Sequence, residues 1–407
     1  MQLPIKTTNG LEVNVINVGT HNHLAGPDFF NARLVIGGQQ WAGNVEMHLN
    51  ASDWYKHGHD DDPNYDNVIL HVVWNHDVEI HRRLEAPIPV VELQNLIPEE
   101  WLGHYHHLFE KNNRFLTCQD SLDLVPKFTK KMWLEKLFIE RLESKYHGYK
   151  KDLDLLNNDW EALFFKMLCT NFGRKVNTLA FESLAQSIPM SVFRKIGRDA
   201  FQLEAVLLGQ SQILKEVKQD KYFRDLRREY DYLKSKYNLT PSTINVQWFK
   251  VRPGGYPTIR LSQLAALYQK VPKLFAEIVL QNDLLSIYKL FEVKASSYWD
   301  NHHVFDNAVT AREKWITKDF VNLILLNTII PIKFAYSRYY GRNNTEDLMD
   351  LAAQVKPEKN TIINKFSDYF KIKNSLDTQS LLQLKKNYCD QKKCLSCDIG
   401  VSLLRGV

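Results

Sequence analysis

Gly26-Pro27-Asp28 and Gly43-Asn44-Val45-Glu46-Met47-His48 decide how this chain is read. An Asp and a Glu fall at the ends of adjacent predicted strands, and His48 follows Glu46 by two places. Two carboxylates converging at strand ends can hold a hard divalent cation through oxygen ligands. Such a cation polarises a phosphoryl oxygen and acidifies an attacking water. Metal-dependent phosphodiester chemistry is therefore the sharpest expectation. The plainer alternative makes Gly26-Pro27-Asp28 a turn with an Asp cap and Glu46 an exposed strand residue.

Around these motifs the first hundred residues read as β-rich. Residues 11–16 alternate in polarity, as do 32–36 before the stop at Gly37-Gly38. A third strand is predicted over 40–49, and the apolar run 68–74 has the form of a buried strand. Residues 88–93 offer one more, and 52–59 a short helix or turn ending near Pro63. From Phe128 the spacing becomes helical, with Trp133, Leu137, Phe138 and Leu142 on one face. Similar faces follow at 160–170, 178–187, 201–218, 221–236, 260–290 and 314–336. The expected fold class is α+β: a mixed-sheet, nuclease-like (restriction-endonuclease-like) domain over 1–110, an all-helical domain over 128–384, and a Cys-bearing tail over 385–407.

The chain has 407 residues, 44% hydrophobic and 24% charged, ordinary for a globular protein with more than one core. No signal-peptide core opens it, and no run is read as reaching the ~18 apolar residues of a membrane span. It is read as cytoplasmic, with no membrane partner. The net charge of +5 hides a division. Residues 1–116 hold 7 Lys and Arg against 15 Asp and Glu, whereas the remainder holds 45 against 32. Eleven of the 14 histidines lie before residue 108. An acidic, His-rich head on a basic body fits a cation site in front and a polyanion, nucleic acid above all, behind. Solvated basic helices are the alternative.

The order of elements around Pro27-Asp28 and Glu46-Met47-His48 resembles the core of PD-(D/E)XK nucleases. The resemblance implies that Asp28 and Glu46 bind Mg²⁺ or Mn²⁺, with the carbonyl of Met47 as a third ligand. His48 stands where that family has Lys. An imidazole with a pKa near ~6.5 can accept a proton but supplies no fixed positive charge. Nearly end to end, the chain also resembles a bacterial family known as domain of unknown function 2851. The resemblance is carried by Ala25-Gly26-Pro27-Asp28-Phe29, Gly43 to His48, Ser52-Asp53-Trp54-Tyr55-Lys56-His57 and Val68-Ile69-Leu70-His71-Val72-Val73. Asn171-Phe172-Gly173-Arg174-Lys175-Val176-Asn177 and Arg252-Pro253-Gly254-Gly255-Tyr256-Pro257-Thr258-Ile259-Arg260-Leu261 extend it. No activity comes with that family.

Three further groups carry chemistry. His48, His57, His59, Asp60 and His71 offer nitrogen ligands for a transition metal. Within that set His71 is read as a hydrogen-bonded core residue and His57/His59 as lining the cleft of Asp28 and Glu46. In the basic half, Lys250, Arg252, Tyr256 and Arg260 flank Gly254-Gly255 and are the candidate nucleic-acid contacts. A Gly/Pro connection with internally paired arginines is the competing reading. Cys394-x-x-Cys397 with Cys389 has the form of a metal knuckle, with Cys118 or, second to it, Cys169 as the candidate fourth thiolate for Zn²⁺ or an iron–sulfur cluster, and three ordinary reduced cysteines as the alternative. The expected function is metal-dependent nucleic-acid cleavage by Asp28, Glu46 and His48. The alternatives are a catalytically degenerate binding module and a His-based zinc hydrolase.

Overall fold

The computed structural model describes residues 5–22, 24–83, 87–110 and 114–406. The chain divides into two compact units, Met1–Cys118 with Gly400–Val407, and Gln119–Ile399. The tail expected over 385–407 is thus shared: its cysteines lie in the second unit and its last eight residues in the first.

The first unit is built on a seven-stranded mixed sheet. Its strands are β1 (Ile5–Lys6), β2 (Glu12–Asn17), β3 (Thr20–His21), β4 (Phe29–Ile36), β5 (Gln39–Asn50), β6 (Val68–Asn75) and β7 (Val90–Glu92). The main order is β1-β2-β4-β5-β6-β7, with β3 paired to β4. β4 and β5 form an antiparallel hairpin across Gly37-Gly38, whereas β5, β6 and β7 run parallel. A parallel pair needs a crossover, and here residues 51–67 supply it with the short helix α1 (Asp53–Lys56) and a 3₁₀ turn (Pro63–Tyr65).

Side chains alternate across a strand, and the burial follows. Ala32, Leu34, Ile36, Val45, Ile69 and Val91 pack one apolar cluster. Trp54, Tyr65, Val68, Val73, Ile80, Ile88 and Val90 pack a second. Register aligns Glu46 with His71 and His48 with Val73. A bulge between Phe29 and Ala32 puts Asn31 in the left-handed region at φ 56°, and its N–H donates to the Asn44 side-chain oxygen at 3.3 Å. Bulges re-aim neighbouring side chains, and this one directly follows Asp28. Helix α2 (Glu99–Phe109) follows the sheet and buries Leu108.

The second unit is helical. α3 (Lys127–Leu155) is its longest helix, followed by α4 (Trp160–Phe172), α5 (Arg174–Gln186), α6 (Met190–Ile196), α7 (Ala200–Gln210) and α8 (Lys221–Tyr237). Then come α9 (Pro257–Lys270), α10 (Leu274–Leu280), α11 (Leu284–Leu290), α12 (Lys318–Ile324), α13 (Ile330–Tyr339), α14 (Thr345–Ala353), α15 (Thr361–Phe366) and α16 (Ser375–Leu384). One contiguous apolar core runs from Phe138 to Val355.

Three expectations are corrected. The face predicted over 201–218 ends at Gln210, because Gln210 and Gln212 turn their amides onto the carbonyls of Ser187, Thr240 and Ser242. The stretch 260–290 is three helices: Pro272 stops the first, and Asp283 caps the third by accepting from the Ser286 N–H at 2.8 Å. Lys318–Tyr339, α12 and α13 joined through a π segment, is long and apolar enough to cross a membrane. As 72% of its apolar window is buried among other helices, it serves as a core helix.

Candidate metal centre

Asp28 and Glu46 meet, as their spacing predicted. The N–H of Asp28 donates to Glu46 Oε2 at 2.9 Å, and Asp28 Oδ2 accepts from the Met47 N–H at 3.0 Å. One Glu46 oxygen and one Asp28 oxygen are thereby held by backbone donors, which orients both carboxylates. The other Glu46 oxygen, Oε1, faces imidazoles: His48 Nε2 lies 3.6 Å away and His59 Nε2 3.5 Å.

His48, Glu46 and Asn50 project from one face of β5, two residues apart. His57 and His59 arrive from the turn after α1, where Gly58 at φ 70° reverses the chain between them. His48 Nε2 is 3.0 Å from His57 Nδ1. One ligand atom from each of His48, His57 and His59 lies within 4.8 Å of the others. His71, fully buried on β6, hydrogen-bonds through Nε2 to His48 Nδ1 at 2.8 Å. It acts from behind the cluster, as its apolar strand implied. Trp54 is fully buried and meets His59 and His71 edge-on, and Tyr65 stacks on His59 with ring centroids 3.7 Å apart. Aromatic pairs of this kind contribute about 0.5–1.5 kcal/mol each, so the imidazoles are held by packing as well as hydrogen bonds.

The electrostatics are those of a site short of positive charge. Burial, followed by the charge of Asp28, pushes the Glu46 carboxyl up to about 7 against the Asp28 backbone bond. Burial, then His59 and His57, lowers His48 to about 4. Burial and His48 lower His71 to about 3, and burial and His57 lower His59. At neutral pH these rings are neutral and carry the lone pairs that a metal ligand requires. An open cleft of about 370 Å³ adjoins His57 and His59, walled by Gly26, Pro27, Asp62, Asn64 and Tyr65.

Met47 adjoins this cluster, and the remaining candidates lie elsewhere. Met47 is exposed, with its N–H engaged by Asp28. In the helical unit, Lys250 and Arg252 are exposed and Tyr256 is half-buried against Trp248 and His303. Arg260 is not a surface residue: it is 6% exposed, lies on the Phe320 ring and donates to Gln263. Its place in the first turn of α9 points it into the helix packing rather than out of the loop. Cys394 and Cys397 are buried around a 3₁₀ turn (Cys394–Ser396), and Cys389 closes a π turn (Lys385–Cys389). Cys118 belongs to the N-terminal unit.

The protein is thus of the α+β class, with a mixed sheet that brings a carboxylate and three histidines together. It belongs to the family described as protein of unknown function (DUF2851), whose model matches residues 2–361. No curated protein and no solved structure matches the chain.

Proposed function

We propose that the N-terminal unit is the catalytic head of a metal-dependent phosphodiesterase acting on nucleic acid. The observation that carries this reading is the convergence of Glu46 Oε1 with the ring nitrogens of His48, His57 and His59. Three nitrogens and one carboxylate suit Zn²⁺ or another late first-row cation better than Mg²⁺. Mg²⁺ or Mn²⁺ is the ion for an oxygen site at Asp28 and Glu46 alone. A cation bound here would acidify water and polarise a phosphoryl oxygen.

The chain's own groups have separable roles. Glu46, His48, His57 and His59 would be ligands. Ligation at His48 Nε2 would fix its proton on Nδ1, from which it would donate to His71 Nε2, 2.8 Å away. Asp28 steadies the Glu46-bearing strand through the Met47 N–H. The adjoining cleft would admit the scissile phosphate. Support for a nucleic-acid substrate comes from the order of elements, which resembles a nuclease core, and from the basic excess after residue 116.

The test is cleavage of single- and double-stranded DNA and RNA with Zn²⁺, Mn²⁺ or Mg²⁺, alongside Glu46→Ala and an EDTA control. Cleavage abolished by both is the expected result. Cleavage that survives Glu46→Ala places catalysis elsewhere, and salt-sensitive binding without turnover leaves a binding module.

A further inference from the structure

Lys127, Lys130 and Lys131 open α3 at i, i+3 and i+4, a spacing that sets three ammoniums on one helix face. Like charges so placed disfavour the helix slightly, and the fold adds to them. Lys371, 240 positions beyond Lys131, and Lys373 line the same cleft from the segment between α15 and α16. The cleft lies wholly within the helical unit and holds about 710 Å³. Leu134, Met349, Leu376 and the rings of Tyr369 and Phe370 make its apolar wall.

The lysines are not neutralised by the cleft itself. Three acids, Glu135, Asp350 and Asp377, share the wall with the five lysines. Glu135 lies 3.6 Å from Lys131, and Asp377 Oδ2 accepts the backbone N–H of Lys373 at 2.8 Å. Lys130 Nζ donates to an uncharged partner, the Leu122 carbonyl, at 3.1 Å. Lys127, Lys371 and Lys373 are exposed, and among the described residues none of their ammoniums pairs with a carboxylate. A concave wall with an excess of one charge focuses its field on ions of the other sign. Lysine binds phosphate as a point charge, without the planar fork that arginine brings to a carboxylate. The half-buried Tyr369 adds an aromatic surface of the kind on which bases stack. A volume within the ~300–1,000 Å³ of small-ligand sites favours one compact ligand over an extended acidic peptide.

We propose that this cleft binds a nucleotide, its phosphate held by Lys127, Lys371 and Lys373 and its base set against Tyr369. The nucleotide is either free or one unit of a single strand. The inference is independent of the metal centre, since no residue of the cleft belongs to the N-terminal unit.

The experiment is calorimetric titration of the full chain, freed of metal by chelation. The titrants are the common ribonucleoside 5′-monophosphates, ribose 5-phosphate, an oligoglutamate and a short single-stranded oligonucleotide. Nucleotides are expected to bind with an affinity that falls as salt rises. Lys371→Gln combined with Lys373→Gln, both at exposed positions, should weaken that binding about tenfold or more. Tyr369→Leu should weaken nucleotides about fivefold or more and leave ribose 5-phosphate unchanged. Lys151→Gln, also exposed and roughly 36 Å along α3 from Lys127, should bind as wild type does. No binding by wild type, unchanged binding by the double lysine variant, or an equal loss in Lys151→Gln overturns the site. Ribose 5-phosphate binding as tightly as the nucleotides also overturns it, as does tighter binding of oligoglutamate, which makes the cleft a seat for acidic peptide. An oligonucleotide that binds about tenfold tighter than the monophosphates, or more, assigns the cleft to a strand, and a smaller difference to free nucleotide.

Discussion

Asp28 and Glu46 hold each other through backbone donors: the Asp28 N–H binds Glu46 Oε2 at 2.9 Å, and Asp28 Oδ2 binds the N–H of Met47, next to Glu46, at 3.0 Å. The pair therefore couples the start of β4 to the middle of β5. Asp28→Ala removes only the second bond, leaving Glu46 in place but less well aimed. Groups that orient metal ligands typically contribute 10–100-fold to affinity. Zn²⁺ titration by calorimetry should show a loss of about that size for Asp28→Ala. Wild-type affinity would mean that Asp28 orients nothing.

His71 offers the cleaner test of support from behind, since it touches His48 and no solvent. His71→Leu keeps an apolar group in an apolar strand but deprives His48 Nδ1 of its partner. Metal affinity should fall about tenfold or more, while urea unfolding shifts by less than about 2 kcal/mol. A large stability loss with unchanged affinity would make His71 purely a packing residue.

Much of this site was legible in the sequence because strand periodicity is short and local. Glu46 and His48 two places apart must share a face of β5, and Pro27-Asp28 ahead of a hairpin returns Asp28 beside Glu46. The His57-Gly58-His59 turn was legible too, through the glycine between the rings. What stayed hidden depends on distant packing. Glu46 presents only one oxygen to the histidines because the Asp28 N–H takes the other. The loop arginines looked alike in sequence, yet Arg252 is exposed and Arg260 is buried on Phe320, a partner 60 positions away. Helix lengths failed where polar side chains ended a helix by bonding to remote loops, as Gln210 does.

Lys145 gives the helical unit a pH signature. Its Nζ donates to the Asn327 carbonyl at 2.9 Å, and Arg141 binds the same residue's side chain at 3.0 Å. Burial, then Arg141, lowers the Lys145 pKa from 10.5 to about 7. Between those values the unfolded chain binds more protons than the folded one, so this group's contribution to stability rises with pH. Lys145→Met should flatten the dependence, narrowing the stability difference between pH 7 and 9 by about 1–2 kcal/mol. Urea midpoints for both proteins at the two pH values measure it. Parallel pH profiles would show that Lys145 stays charged in the fold.

Gly173 and Asn177 tie the end of α4 to the loop that carries Lys250 and Arg252. Asn177 breaks regular helix geometry in α5, and its side chain clamps the Gln247 backbone: Nδ2 donates to the carbonyl at 2.9 Å and Oδ1 accepts the N–H at 2.6 Å. A methyl group on Gly173 would collide with the Asn177 carbonyl and press on Phe181 at 3.0 Å. Its φ of −65° is ordinary, so the requirement is for space. Backbone cannot yield as a flexible side chain can, and Gly173→Ala should cost roughly 2–4 kcal/mol. Asn177→Ala spares that contact and loses only the clamp. It should accelerate protease cleavage within 244–256 several-fold, with a smaller loss of global stability. Limited proteolysis with mapping of the first cut distinguishes the two variants. If Asn177→Ala leaves the loop as protected as in wild type, the clamp does not hold it.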